Sequence, residues 1–182
     1  QRVALCAKQG SKVRKGHLRA YIQRAESGTG LSTTPPPTMN YQNIIDQYYS
    51  EENALRRILL VHSRQVTERA LRLADAHPEL AIDRPFVQEA AMLHDIGIFL
   101  CDAPGIACHG KEPYICHGRV GAELLRQAGY PRHARVCERH TGAGLTKAEI
   151  VAQHLPIPAQ DFLPETLEER LICYADKFYS KS

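Results

Sequence analysis

The sequence predicts an all-α fold. From residue 41 onward apolar residues recur at three- and four-residue steps, and helix-capping patterns stand at the starts of several segments. No βαβ alternation, glycine-rich phosphate loop or internal repeat competes with that pattern.

Ser50-Glu51-Glu52 reads as a cap followed by acids in a first helical turn. Leu55, Ile58, Leu59, His62, Val66, Ala70, Leu73 and Ala74 then form one stripe, which places His62 on a buried face. This helix should close near His77-Pro78. Asp83 with Pro85 opens a second helix, running to about Ile96, where Gly97 can end it. Residues 101–113, rich in Pro and Gly, read as loop. A third helix carries His117, Val120, Gly121, Leu124 and Leu125 and stops at Gly129-Tyr130-Pro131; a short fourth runs from Pro131 to about His140. Thr146 with Glu149 and Thr166 with Glu169 form capping boxes. The first opens a short helix that breaks at Pro156-Ile157-Pro158. The second opens the last helix, whose expected stripe is Leu167, Leu171, Tyr174, Ala175 and Phe178, with Asp176 beside it.

A chain of 182 residues suits one domain with an ordinary core. Of its 23 Lys and Arg, seven fall in residues 1–38 with a single acid, leaving residues 39–182 with sixteen basic and nineteen acidic side chains. The net +3 is therefore a property of the first 38 residues, and the rest gives no general reason to bind nucleic acid. Residues 1–38 end in Ser-Gly-Thr-Gly and a Pro-Pro-Pro run, which is linker composition. They are expected to be a non-native or disordered leader, with the helical domain occupying 39–182. No window approaches the roughly 18–20 apolar residues needed to cross a bilayer. Six cysteines at irregular spacing, without a CxxC pair, predict reduced thiols and a cytoplasmic location.

The chemistry gathers around His94-Asp95. The pair closes the apolar run Ala90-Ala91-Met92-Leu93, and a carboxylate at a buried helix end is costly unless a cation compensates it. His62 upstream and His117, His140 and Asp176 downstream lie in similar apolar, helix-like segments. An imidazole offers one nitrogen to one cation, whereas a carboxylate can bridge two. Four imidazoles and two carboxylates on five helices can thus build a two-metal site, attractive to phosphate, with mixed N/O ligation suited to Fe, Mn, Co or Zn.

The ordered set His62, His94-Asp95 and Asp176 resembles the signature of the HD-domain metal-dependent phosphohydrolases, and His94-Asp95-Ile96-Gly97 matches their HDIG variant. His117, followed by Gly121-Ala122-Glu123-Leu124-Leu125, and His140, within Glu138-Arg139-His140-Thr141-Gly142, resemble the two-metal members. Those members include small HDIG proteins and HD-type dinucleoside tetraphosphate hydrolases. The similarity spans roughly residues 55–178. It implies an HD-like helical bundle with two divalent transition metal ions in its core. His62, His94, Asp95 and Asp176 would hold the first ion. Asp95, the catalytic residue, would bridge to a second completed by His117 and His140. A metal-bound hydroxide would then attack the phosphorus of a small phosphorylated metabolite, a nucleotide first among them, with no membrane partner.

Many relatives place Lys or Arg just after the HD turn, where this chain has Ile98 and Phe99. Arg119, Arg139 and Lys147 are the candidates for phosphate contact. Two further functions stay open: an HD-type di-iron oxygenase on the same ligand set, and a non-catalytic nucleotide-binding module. His109 is expected to be a solvated loop residue, the cysteines to be idle thiols, and His17, His77, His133 and His154 to lie on the surface.

Overall fold

The computed structural model describes residues 39–181. The expectations for residues 1–38, and with them Cys6 and His17, concern residues outside that span. Among the described residues seven α-helices follow in order: α1 Tyr41–Tyr48, α2 Ala54–Ala76, α3 Arg84–Leu93, α4 His117–Gln127, α5 Pro131–Arg139, α6 Lys147–Ala152 and α7 Leu167–Asp176. The all-α class therefore holds, with one correction. The stretch 101–113 contains three very short strands, β1 Cys101–Ala103, β2 Cys108–His109 and β3 Glu112–Pro113, in the order β2-β1-β3. β1 runs antiparallel to β2, pairing Asp102 with His109, and parallel to β3. His109 is thus an exposed strand residue.

Both capping boxes form as the sequence implies, at Thr146 with Glu149 and at Thr166 with Glu169. Asp83 caps α3 by accepting from the Phe86 amide. Two helix ends differ from expectation. α2 is capped by Asn53, whose side chain accepts from the Arg56 amide, and not by Ser50. The cause is a separate helix, α1, directly before it. The chain must turn at Tyr49, and the Arg56 guanidinium fixes that turn by donating to the Tyr49 carbonyl and pairing with Asp46 and Glu52. α3 ends at Leu93 instead of Ile96, because the Ile96 amide bonds to Leu93 O and the Ile98 amide to Asp95 O, closing a tight double turn.

The apolar core forms two clusters. One gathers Ile45, Leu59, Leu93, Ile96 and Leu125; the other gathers Val66, Val87, Ala90, Ile172 and Ala175. On α2 His62 lies between Leu59 of the first and Val66 of the second, so the polar cluster sits where the two meet. The expected α7 stripe holds only in part: Ala175 is buried and Leu171 packs against the core, but the rest of the buried face is different. Glu169, Ile172, Cys173 and Ala175 go inward, while Leu167, Tyr174 and Phe178 are about half exposed. Glu169 can be buried because Arg135 of α5 and the amides of Glu165 and Thr166 all donate to it. His133 is also a correction: it is buried against Phe86 and paired with Glu89. His77 and His154 are exposed as expected.

Candidate metal centre

Three of the four imidazoles of the candidate set are aimed by their own backbone, while the buried Nδ1 of His62 has no hydrogen-bond partner among the described residues. His94, at the C-terminal end of α3, holds Nδ1 2.7 Å from Ala91 O. His117, the first residue of α4, holds Nδ1 2.7 Å from Tyr114 O, and His140, just past α5, holds Nδ1 2.7 Å from Cys137 O. In all three the ring folds back on the carbonyl three residues earlier. A carbonyl only accepts, so Nδ1 carries the proton and Nε2 is left with a lone pair facing inward.

Those lone pairs converge on Asp95, which is fully buried. His62 Nε2 and His94 Nε2 are 3.2 Å apart and each is 3.2 Å from Asp95 Oδ2. Asp176 Oδ1 completes that group, 2.9 Å from His62 Nε2 and 3.4 Å from His94 Nε2. On the other side His117 Nε2 and His140 Nε2 are 3.0 Å apart, and each is 3.4 Å from Asp95 Oδ1. All six residues named from the sequence therefore meet at one place, divided by the two oxygens of one carboxylate.

The donor spacing fits divalent cations. Ligand atoms about 2.1 Å from one ion and at right angles to each other stand about 3.0 Å apart. Asp95 Oδ1 and Asp176 Oδ1 make no well-formed hydrogen bond, although imidazole nitrogens lie within 3.4 Å of them. Close lone-pair atoms that do not bond to one another are what a shared cation would hold together.

Without a cation, protons carry the compensation. Burial opposes a charge on His94, but Asp95 and Asp176 outweigh it and raise its pKa to about 10. Burial likewise opposes ionisation of Asp95, yet His94, Lys181, His140 and His62 hold its carboxyl well below the usual range. His117 goes the other way: burial, with His140 and Lys181 adding repulsion, lowers it to about 4 despite Asp95.

Two close backbone approaches bring the two sides together. A Cβ on Gly97 would meet His117 O at 2.4 Å, and one on Gly118 would meet Cys137 O at 2.3 Å. Glycine at both positions lets the His94-Asp95 turn, the start of α4 and the end of α5 touch backbone to backbone.

None of the three basic candidates is placed against Asp95. Arg119 lies between Glu112 and Glu123, Arg139 binds Leu163 O and Glu165, and Lys147 is an exposed residue at the start of α6, whose backbone amide donates to Asp161. The cation at the centre is instead Lys181, whose Nζ is 2.8 Å from Asp95 Oδ2. Sequence reasoning missed it, since a lysine near the end of the sequence carries no periodic or motif signal. The five described cysteines are buried and free; Cys137 and Cys173 direct their thiols at Leu93 O and His140 O, behind the imidazoles.

A family model described as the HD domain matches residues 59–180. The chain is 38% identical over 124 residues to a tRNA (cytidine(56)-2′-O)-methyltransferase of Picrophilus torridus, and 32% identical over 123 residues to the enzyme of that name in Thermoplasma volcanium. These matches take 68% and 67% of this chain but only 32% of each relative. It is also 37% identical over 135 residues to an uncharacterised protein of Methanocaldococcus jannaschii, taking 69% of this chain and 72% of that one. No solved structure matches.

Proposed function

The chain belongs to the HD-domain family, and on that premise we propose a metal-dependent phosphohydrolase that cleaves a phosphate ester or anhydride of a small metabolite, a nucleotide first among candidates. The observation that carries this reading is the division of Asp95: Oδ2 lies against His62 and His94, which Asp176 also meets, while Oδ1 lies against His117 and His140. Two donor groups sharing one carboxylate suit two divalent cations, with Fe, Mn, Co or Zn matching the mixed N/O donors. Bound there, such ions supply acidified water and neutralise phosphate charge.

The chain's own part is positioning. The Nδ1 clamps keep the rings of His94, His117 and His140 fixed before any substrate arrives, and the buried surroundings exclude bulk water from all but one edge. That edge is Asp176, the only one of the six with a side chain as much as 16% exposed. Hydrolysis joins a water oxygen to phosphorus, breaks the P–O bond to the leaving group, and passes the water's proton to the departing oxygen. Five buried free thiols among the described residues support a reducing, cytoplasmic setting.

The test is metal analysis of protein purified without chelator, followed by a panel of nucleotides, other phosphomonoesters and a 5′-phosphorylated oligoribonucleotide. The oligonucleotide is included because two relatives are named as tRNA methyltransferases. Phosphate release dependent on divalent metal supports the reading. Dioxygen consumption instead would move the protein to the oxygenase class, and nucleotide binding without turnover would make it a binding module.

A further inference from the structure

A cleft of about 450 Å³ opens between α2 and the segment following α7, with Arg57, Val61, His62 and Gln65 on one wall and Phe178 to Lys181 on the other. It borders the candidate centre through His62, whose Nε2 contacts Asp95 and Asp176 behind it, and through Lys181, whose Nζ lies on Asp95.

The charge of the cleft is unlike that of the domain around it. Residues 39–182 have an excess of three acids, yet the lining has two cations, Arg57 and Lys181, and no carboxylate. A concave opening of one sign concentrates ligands of the other. Next to the cations stand Val61, 49% exposed, and Phe178, 47% exposed, the latter with the Arg69 guanidinium 3.4 Å over its ring. An apolar and aromatic wall beside two cations fits a ligand with a planar group at one end and an anion at the other.

Lys181 is the informative residue. Its side chain is only 14% exposed, and its counter-charge is the one carboxylate on which both donor groups depend. Any divalent cation that takes Asp95 draws that counter-charge away from Lys181, which lines the cleft and otherwise has the Tyr114 ring beside it. We propose that Lys181 binds the substrate's phosphate, with Arg57 as a second cation at the cleft mouth and Val61 and Phe178 packing against a nucleobase, so that the preferred substrate is a nucleoside monophosphate. The proposal rests on the phosphohydrolase reading.

The full chain loaded with Mn²⁺ is titrated calorimetrically with inorganic phosphate and with AMP, and AMP hydrolysis is measured beside that of ribose 5-phosphate. Lys181→Met should weaken inorganic phosphate binding about tenfold or more, the scale of one lost charge-assisted contact. It should raise KM for AMP by a similar factor with metal content unchanged, and Lys181→Arg should restore most of the loss. Phe178→Ala should raise KM for AMP several-fold while leaving inorganic phosphate binding and ribose 5-phosphate unchanged. Wild-type phosphate affinity undiminished in Lys181→Met overturns the proposal alone. So does loss of metal in Lys181→Met, which would make Lys181 a support of the centre. A wild-type protein that neither binds phosphate nor releases it from any ester defeats the phosphohydrolase reading itself, and this proposal with it.

Discussion

A Cβ on Gly97 would stand 2.5 Å from the backbone nitrogen of Gly121, so the turn that carries Asp95 and the helix that carries His117 meet with no side chain between them. The obstacles to any larger residue are backbone atoms, which cannot rotate away, and His117 O is one of them. Gly97→Ala must therefore push α4 off the turn. Overpacking of this kind costs about 1–3 kcal/mol, and we expect a matching fall in the unfolding midpoint. The displacement carries His117 away from Asp95 Oδ1, so metal stoichiometry should fall first on the His117–His140 side. A Gly97→Ala protein with unchanged midpoint and metal content would show that the contact does not position the centre.

Tyr49 supports the same turn from the opposite direction. Its hydroxyl donates to Ile96 O at 2.9 Å and accepts from the Phe99 amide at 3.3 Å, and burial keeps the phenol protonated by raising its pKa well above the ordinary value. Tyr49→Phe keeps the ring but leaves a buried carbonyl and a buried amide without partners, which costs about 1–3 kcal/mol. Denaturant unfolding should show that loss with an unchanged m-value. A loss below a few tenths of a kcal/mol would mean that water reaches both groups.

What the sequence discloses about this site is what local chemistry and periodicity encode. His62 is recognisable because it falls in step with Leu59 and Val66, and His94-Asp95 because it ends an apolar run. The capping boxes at Thr146 and Thr166 are complete within four residues, so no tertiary contact is needed to see them. Strands of two or three residues, such as Cys108–His109, are too short for alternation to register. On α7 Leu167-Leu171-Tyr174 and Glu169-Ile172-Cys173 both have helical spacing, and only packing against α2 and α5 decides which is buried. Gly97 was readable as a helix stop, but its closer constraint, contact with Gly121, is made across the fold. Lys181 reaches Asp95 by tertiary placement alone.

Metal binding should release protons. With Asp95 and Asp176 outweighing burial, His94 has a pKa near 10, above the ordinary 6.5, so between these values the metal-free fold holds a proton there that the unfolded chain has lost. The sign follows directly. This group stabilises the metal-free fold fully below about pH 6.5, and that contribution disappears as pH rises through about 10. A cation needs the same lone pair, so its apparent affinity should rise with pH across the window, by up to about tenfold per unit while His94 alone must deprotonate. His117, lowered to about 4 by burial, is already neutral and adds nothing in that range. Calorimetry in two buffers of different ionisation enthalpy should report close to one proton released per chain at pH 8. Metal binding with no proton release would mean that His94 is not a ligand.

Asp95 and Asp176 should fail differently when neutralised. Asp95 touches both donor groups, through Oδ2 on one side and Oδ1 on the other, whereas Asp176 touches only His62 and His94. Asp95→Asn preserves the shape but replaces one oxygen by an amide nitrogen that has no lone pair to offer. It also removes the carboxylate charge that lies 3.4 Å from both His117 and His140. Both donor groups should lose metal affinity, and phosphohydrolase turnover should fall by about a hundredfold or more, since activation of water and neutralisation of phosphate both depend on the ions. Asp176→Asn should weaken only the His62–His94 group, leaving one equivalent of metal bound at His117 and His140. Metal content by mass spectrometry separates the two cases without reference to activity. Equal stoichiometry in Asp95→Asn and Asp176→Asn would mean that Asp95 serves a single ion and that the two imidazole pairs do not form two sites.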